Sequence, residues 1–211
     1  MPPNNKTLAA CLGLLGRQIF TARELAAVSG RSASVVSQGL AFLQKQGLAV
    51  KVAHGVWASG SSMPSPYAVI PYLFPRQRCY VSFTSALHLH GIIEQIPQVI
   101  TLASVAHTRE INTNAGNYLA HHLAPSFFTG FSWHEKGGFL IAEPEKALVD
   151  CLYVSAFRNR QFSHFPELKF PSAFSFKRAV AWAALIKNGA ALKHALKRLA
   201  EIKVASVNRE A

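Results

Sequence analysis

The chain has 211 residues, 50% of them hydrophobic and 15% charged, which excludes a disordered polymer and suits one large or two small cores. Lysine and arginine (22) outnumber the acids (10), giving a net charge of +12 and a pI near 10.0. Such an excess predicts a polyanionic partner, nucleic acid before a membrane surface. No apolar run approaches the ~18 residues of a membrane helix, so no membrane association is expected.

The first sixty residues predict three helices and a hairpin. Leu8, Leu12 and Leu15 are spaced as one buried stripe of a first helix. Thr21-Ala22-Arg23-Glu24 is a capping box opening a short helix with Leu25, Ala26 and Val28, which stops at Gly30. Ser32 then caps a third helix with Val36, Leu40 and Leu43 facing inward, ended by Gln46-Gly47. Leu48 to Val52 and Val56 to Ala58 alternate as strands around a turn at His54-Gly55. This order of elements predicts a winged helix-turn-helix, whose third helix would enter the DNA major groove. Ser32, Ser34, Ser37, Gln38 and Ala41 would face the bases, with Gln38 the best adenine reader. Arg31, Lys45 and Lys51 would bind phosphate, and His54 at the hairpin tip would reach the minor groove. Between Glu24 and Glu94 there is no acid to oppose them; residues 1–60 carry six basic residues and one acid.

Ser59 to Pro66 is rich in Ser, Gly and Pro and predicts a boundary. The expected division is a DNA-binding domain at 1–60, a linker and edge segment at 61–78, and a second domain at 79–211. Tyr67 to Leu73 is apolar but interrupted by Pro71, which places any strand there at an edge. Tyr80 to Gly91 reads as a strand end turning into a helix capped by Ser82, with Phe83, Ala86, Leu87 and His90 on one face. Gln98 to Ala103, Tyr118 to Leu123 and Phe139 to Ala142 are strand-like, with a hairpin turn at Gly137-Gly138. Pro144 opens a further helix at its permitted first position, and Glu145 suits the positive end of its dipole. Leu148 and Leu152 seat that helix, while Asp150, an acid in a basic domain, is expected either at the surface or paired with Arg76, Arg78 or Arg158. The fold class is therefore α+β: a winged helix followed by a mixed domain with a small sheet and C-terminal helices.

Those late helices are predicted over Phe176 to Lys187 and Ala190 to about Val204. The second is amphipathic, with Leu192, Ala195, Leu196 and Leu199 on one face and Lys193, His194, Lys197 and Arg198 on the other. From Leu168 to Ala200 there are seven basic residues and no acid. Lys177, Arg178, Lys193, Lys197 and Arg198 thus make a candidate second basic surface, for DNA or RNA, against the alternatives of a solvated charged face and of membrane-surface binding, which the small Ala-rich apolar face discourages.

Little points to catalysis. His88 and His90 diverge on a helix, His121 and His122 alternate across a strand, and neither pair has a carboxylate at metal-ligand spacing. Neither a Gly-rich phosphate loop nor a nucleophile elbow is present, so no cofactor, metal or catalytic residue is expected. Cys11, Cys79 and Cys151 are odd in number and far apart, as buried thiols of a reducing cytoplasm would be. Leu8-Ala9-Ala10-Cys11 spells a lipoprotein cleavage site, but only seven residues precede it, too few for an export signal.

Taken in order, the basic winged helix, Tyr80-Val81-Ser82, Ser85-Ala86-Leu87, His90-Gly91 and Pro144-Glu145-Lys146-Ala147-Leu148-Val149-Asp150 resemble the AbiEi-type antitoxins. These are the transcription-regulating halves of bacterial abortive-infection, type IV toxin–antitoxin pairs. The resemblance runs from about residue 7 to 165, with Trp57 and Ala147 where the family often has Tyr and Thr. It implies a repressor of its own operon; a cytoplasmic protein is expected from the thiols and the lack of an export signal, and inverted repeats would let it bind as a monomer or weak homodimer. The resemblance also implies a second domain that opposes a nucleotidyltransferase toxin without forming a tight complex. Two alternatives stand beside it: an RNA-binding module working through the C-terminal helices, and a nucleic-acid-processing enzyme using His88, His90 or His121.

Overall fold

A computed structural model describes residues 6–75, 78–135, 137–157, 162 and 164–210. The fold is α+β, in two compact units: one runs through Pro75 and takes in Asn112–Gly116, and the other holds the remainder. Among the described residues no helix is long and apolar enough to cross a membrane.

The first unit contains α1 (Leu8–Leu15), β1 (Ile19–Thr21), α2 (Ala22–Ser29), α3 (Ala33–Lys45), β2 (Ala49–Ala53), β3 (Val56–Ser59) and α4 (Pro66–Leu73). Local chemistry sets its boundaries. Thr21 and Glu24 exchange the two bonds of a capping box at 3.2 and 2.7 Å, and Gly30 ends α2 in the left-handed conformation. Ser32 caps α3 through the Val35 amide. On its inner side Val36, Leu40 and Leu43 join Leu8, Cys11, Phe20, Leu25, Ala49 and Trp57 in one core. Gly39 lies where α1 crosses, and a Cβ there would push the end of the Leu8 side chain aside. The sheet has the order β1-β3-β2, all antiparallel. β1 is too short for its periodicity to show in the sequence.

The segment 67–73, expected as an edge strand, is instead the helix α4 with Pro71 inside it. A short apolar run carries no reliable period, and here Pro66 supplies a pre-set first turn. Val69 then buries against Ile19, Val52, Val56 and Ala58, so this helix completes the first unit's second core. Residues 112–116 close the same cluster: Asn114 donates from its amide to the Val52 carbonyl (3.0 Å) and from Nδ2 to that of Lys51 (2.9 Å).

The second unit is built on β4 (Cys79–Val81), α5 (Phe83–Leu89), β5 (Ile100–Ser104), β6 (Arg109–Thr113), β7 (Gly116–His122), β8 (Phe131–His134), β9 (Phe139–Ala142), α6 (Pro144–Ser155), α7 (Phe176–Ala183) and α8 (Gly189–Glu210). Its strands form a mixed sheet of order β6-β7-β5-β4-β9-β8. β4 runs antiparallel to β5 and parallel to β9, while β5 is parallel to β7 and β8 antiparallel to β9. β6 and β8 have no counterpart in the sequence reading: both are edge strands with largely polar or exposed residues, so neither alternates clearly. Proline at its first position opens α6, which is buried along most of its length against α5, α7 and α8. α7 stops at Ala183, short of the expected Lys187, and the Asn188 side chain caps α8 through the Ala191 amide.

Candidate nucleic-acid interface

On α3 the helical period separates two faces. Val36, Leu40 and Leu43 are buried, and Ser34, Ser37, Gln38, Ala41 and Lys45 lie exposed on the opposite side at positions i, i+3, i+4, i+7 and i+11. Ser32 is exposed at the helix start. The polar stripe carries no acid and small side chains at all but Gln38 and Lys45, so another surface could approach its backbone closely. Lys51 projects from β2, and His54 is exposed beside Gly55, whose positive φ (71°) makes the tight turn. That turn is fixed to α2, since Ala22 donates to the Gly55 carbonyl at 2.9 Å.

Arg31, expected to bind phosphate, also has a partner within the fold. It is half-buried, and its Nη2 donates to the Lys6 carbonyl at 3.0 Å, bracing the entry to α1. The sequence reading also missed Phe42, which is 61% exposed on the flank of α3 beside exposed Val35. Its signal is register: Phe42 falls outside the Val36, Leu40 and Leu43 series and so could not join the core.

In the second unit Tyr80, Ser82, Lys146 and Asp150 meet in one buried network. The Lys146 Nζ bonds Asp150 Oδ1 across one turn of α6 and donates to the Tyr80 hydroxyl at 3.2 Å. Asp150 Oδ2 accepts from Ser82 Oγ (2.7 Å) and from the Tyr80 hydroxyl (3.1 Å). All four side chains are fully buried, and the Lys146 ammonium also sits 3.8 Å from the Phe127 ring centroid. Burial pushes the Lys146 ammonium below the usual lysine range and the Asp150 carboxyl above the usual carboxylate range, each against the attraction of the other. Burial, then the Asp150 charge, lifts the Tyr80 phenol well above its ordinary value.

The partner of Asp150 is therefore Lys146. Arg78 does not take that place, and Arg76 and Arg158 lie outside the described residues. Residues four apart on a helix are neighbours, which puts the Lys146 ammonium beside Asp150 within α6 itself. Ser82 holds the cap position of α5, but its hydroxyl serves Asp150 and makes no cap bond. Ser85 and Thr101 exchange amide-to-hydroxyl bonds of 3.1 and 2.8 Å, tying α5 to β5. Phe83 follows Ser82 with a positive φ of 55°, stacked 5.1 Å from Phe162. That strained conformation is held by the buried groups around it. Gly130 approaches the network so closely that a Cβ would come within 2.9 Å of the Lys146 side chain and 3.1 Å of Trp182.

The proposed second basic surface is partly consumed by ion pairs. Arg178 donates from Nε and Nη2 to Oε1 of the fully buried Glu145, at 3.1 and 2.7 Å. Arg198 pairs with Glu201 at 2.9 Å, and Lys197 approaches the same carboxylate at 4.0 Å. Glu201 is the first acid after the long basic stretch, and one helical turn brings it back to those cations. The buried seam of α8 is Ala191, Ala195 and Leu199; His194 turns inward to Ser155 Oγ at 3.0 Å, while Leu196 is 37% exposed. Lys177 and Lys193 remain exposed.

His88 and His90 serve the fold, with Nδ1 of the first 3.3 Å from the Ile93 carbonyl and Nε2 of the second 2.8 Å from that of Ala142. His121 is buried edge-on to Phe83, and among the described residues no group of three potential metal ligands forms. The three cysteines are buried free thiols. No protein-family model matches the sequence, and no curated protein matches it either.

Proposed function

We propose that this chain is a cytoplasmic double-stranded DNA-binding repressor, acting by binding rather than catalysis, and the autoregulating antitoxin of an AbiEi-like pair. The supporting observation is the division of α3. An acid-free stripe of Ser34, Ser37, Gln38, Ala41 and Lys45 lies opposite the buried Val36, Leu40 and Leu43. A helix of this diameter fits the major groove, where Gln38 would pair with adenine N6 and N7 and the serines would permit close approach. Lys45 and Lys51 would meet phosphates on either side, and the hairpin tip at His54 the minor groove. Arg31 would hold α1 in place and offer its remaining donors to phosphate. The antitoxin role rests on the resemblance of the ordered motifs from Tyr80 to Asp150, four of whose residues, Tyr80, Ser82, Lys146 and Asp150, form one buried network. Its implied counterpart is a nucleotidyltransferase toxin that need not be held in a tight complex.

Footprinting on the DNA upstream of the chain's own gene, at two salt concentrations, tests the DNA-binding part. Protection at inverted half-sites is expected, about 10 bp apart or a multiple if two copies bind together. Gln38→Ala should relax discrimination at one base position by about 1–3 kcal/mol, leaving the salt slope unchanged. Absence of protection at either salt concentration sinks the reading.

A further inference from the structure

α7 and α8 enclose a surface groove of ≈ 380 Å³, with Phe176, Lys177 and Val180 on one wall and Leu196, Leu199 and Lys203 on the other. Leu199 is its buried floor, whereas Val180 and Leu196 are 47% and 37% exposed. The stripe continues along α8: Leu196, Ala200 and Val207 recur at i, i+4 and i+11 with Lys203 between them at i+7, and Val207 is 57% exposed. At 1.5 Å per residue that stripe is about 16 Å long, enough for three turns of a partnering helix. Val204, at i+8 on the same side, is 61% exposed, so the aliphatic exposure is concentrated on one face of α8 away from the buried Ala191, Ala195 and Leu199.

From this groove we infer that the second unit docks an amphipathic helix of another protein, one with leucine-like residues on one face and acids along its margins. Charge complementarity selects that occupant. Lysines stand on both walls, no acid lines the groove, and Glu201 is turned away toward Arg198. A second copy seated symmetrically would bring the same lysine-rimmed patch against itself, lysine facing lysine. Nucleic acid would satisfy the lysines but leave the aliphatic floor wet. An acidic helix meets both demands, anchored at i, i+4 and i+7 as in other helix-in-groove complexes. This surface is separate from α3, so its occupancy and DNA binding stand or fall independently.

Fluorescence anisotropy with the full chain tests the inference, using three labelled peptides of about 15 residues. The first has leucines at helical spacing flanked by glutamates, the second is its scrambled isomer, and the third carries lysines for the glutamates. The first should bind about tenfold tighter than either of the others. Val180→Ser and Leu196→Ser should each weaken it by about tenfold with unchanged circular dichroism, because both side chains are already part-exposed. The double variant Lys177→Glu/Lys203→Glu should transfer the preference to the lysine peptide. Equal binding of the scrambled isomer overturns the proposal. So does a concentration-dependent dimer that Leu196→Ser dissolves, or binding of an RNA hairpin that the same variant abolishes.

Discussion

Lys146 and Asp150 form an ion pair with no exposed surface, and such a pair adds little net stability. Desolvating both charges offsets most of their attraction, so removing one partner costs more than removing both. Lys146→Met and Asp150→Asn should each lower unfolding free energy in urea by about 3–5 kcal/mol, whereas Lys146→Met/Asp150→Leu should cost less than the sum. Additive losses would show that the two residues act separately. A second consequence lies at alkaline pH. Burial lifts the Cys79 thiol from 9.0 to about 12, despite the nearby Arg109 charge. A group whose folded value is raised stabilises fully below its unfolded value and loses that contribution as pH rises, here between pH 9 and about 12. Cys151 and Tyr80 shift in the same direction through burial and the Asp150 charge. Thermal midpoints should therefore fall above pH 9, and fall less in Cys79→Ala/Cys151→Ala; identical declines would exclude the thiols as the cause.

At the level of elements, the basic residues divide by what faces them. Arg178 closes on Glu145, whose carboxylate sits at the start of α6 and also accepts the Ser175 amide at 2.8 Å. Arg178→Ala should destabilise the fold by about 1 kcal/mol, a modest figure because the Arg178 side chain is 56% exposed, and leave nucleic-acid affinity almost unchanged. Lys45→Ala should do the reverse, flattening the salt dependence of DNA binding by about one unit with little effect on melting. Equal salt slopes for both variants would remove Lys45 from the interface. This division was invisible along the chain. Caps, glycine stops and the α3 period are local, so Thr21, Gly30, Ser32, Val36, Leu40 and Leu43 were all readable. The acids that neutralise Arg178 and Arg198 were not, since pairing depends on which helix turns toward which.

At the scale of the molecule, the first unit extends beyond the Ser- and Pro-rich segment that resembled a linker. α4 supplies Val69 to a core otherwise made by Ile19, Val52, Val56 and Ala58. A fragment ending at residue 60 should melt at a lower temperature and less cooperatively than one ending at residue 75, as followed by circular dichroism. Matching melts would mean that α4 is dispensable. The charge of +12 likewise resolves into parts: cations on an acid-free face of α3 and the β2–β3 hairpin, and later cations partly bound to Glu145 and Glu201.

What the amino-acid order alone determined was what neighbours within a turn or two dictate. That includes α1 to α3 with the caps at Thr21 and Ser32, the β2–β3 hairpin, the exposed face of α3 and the excess of positive charge. Only the tertiary structure decided that residues 67–73 are helical, that Asp150 meets Lys146 in a dry network, and that Leu196 faces outward over a groove. The reason is physical: burial, desolvation and the pairing of distant charges depend on which surfaces the folded chain brings together, and no local period records that.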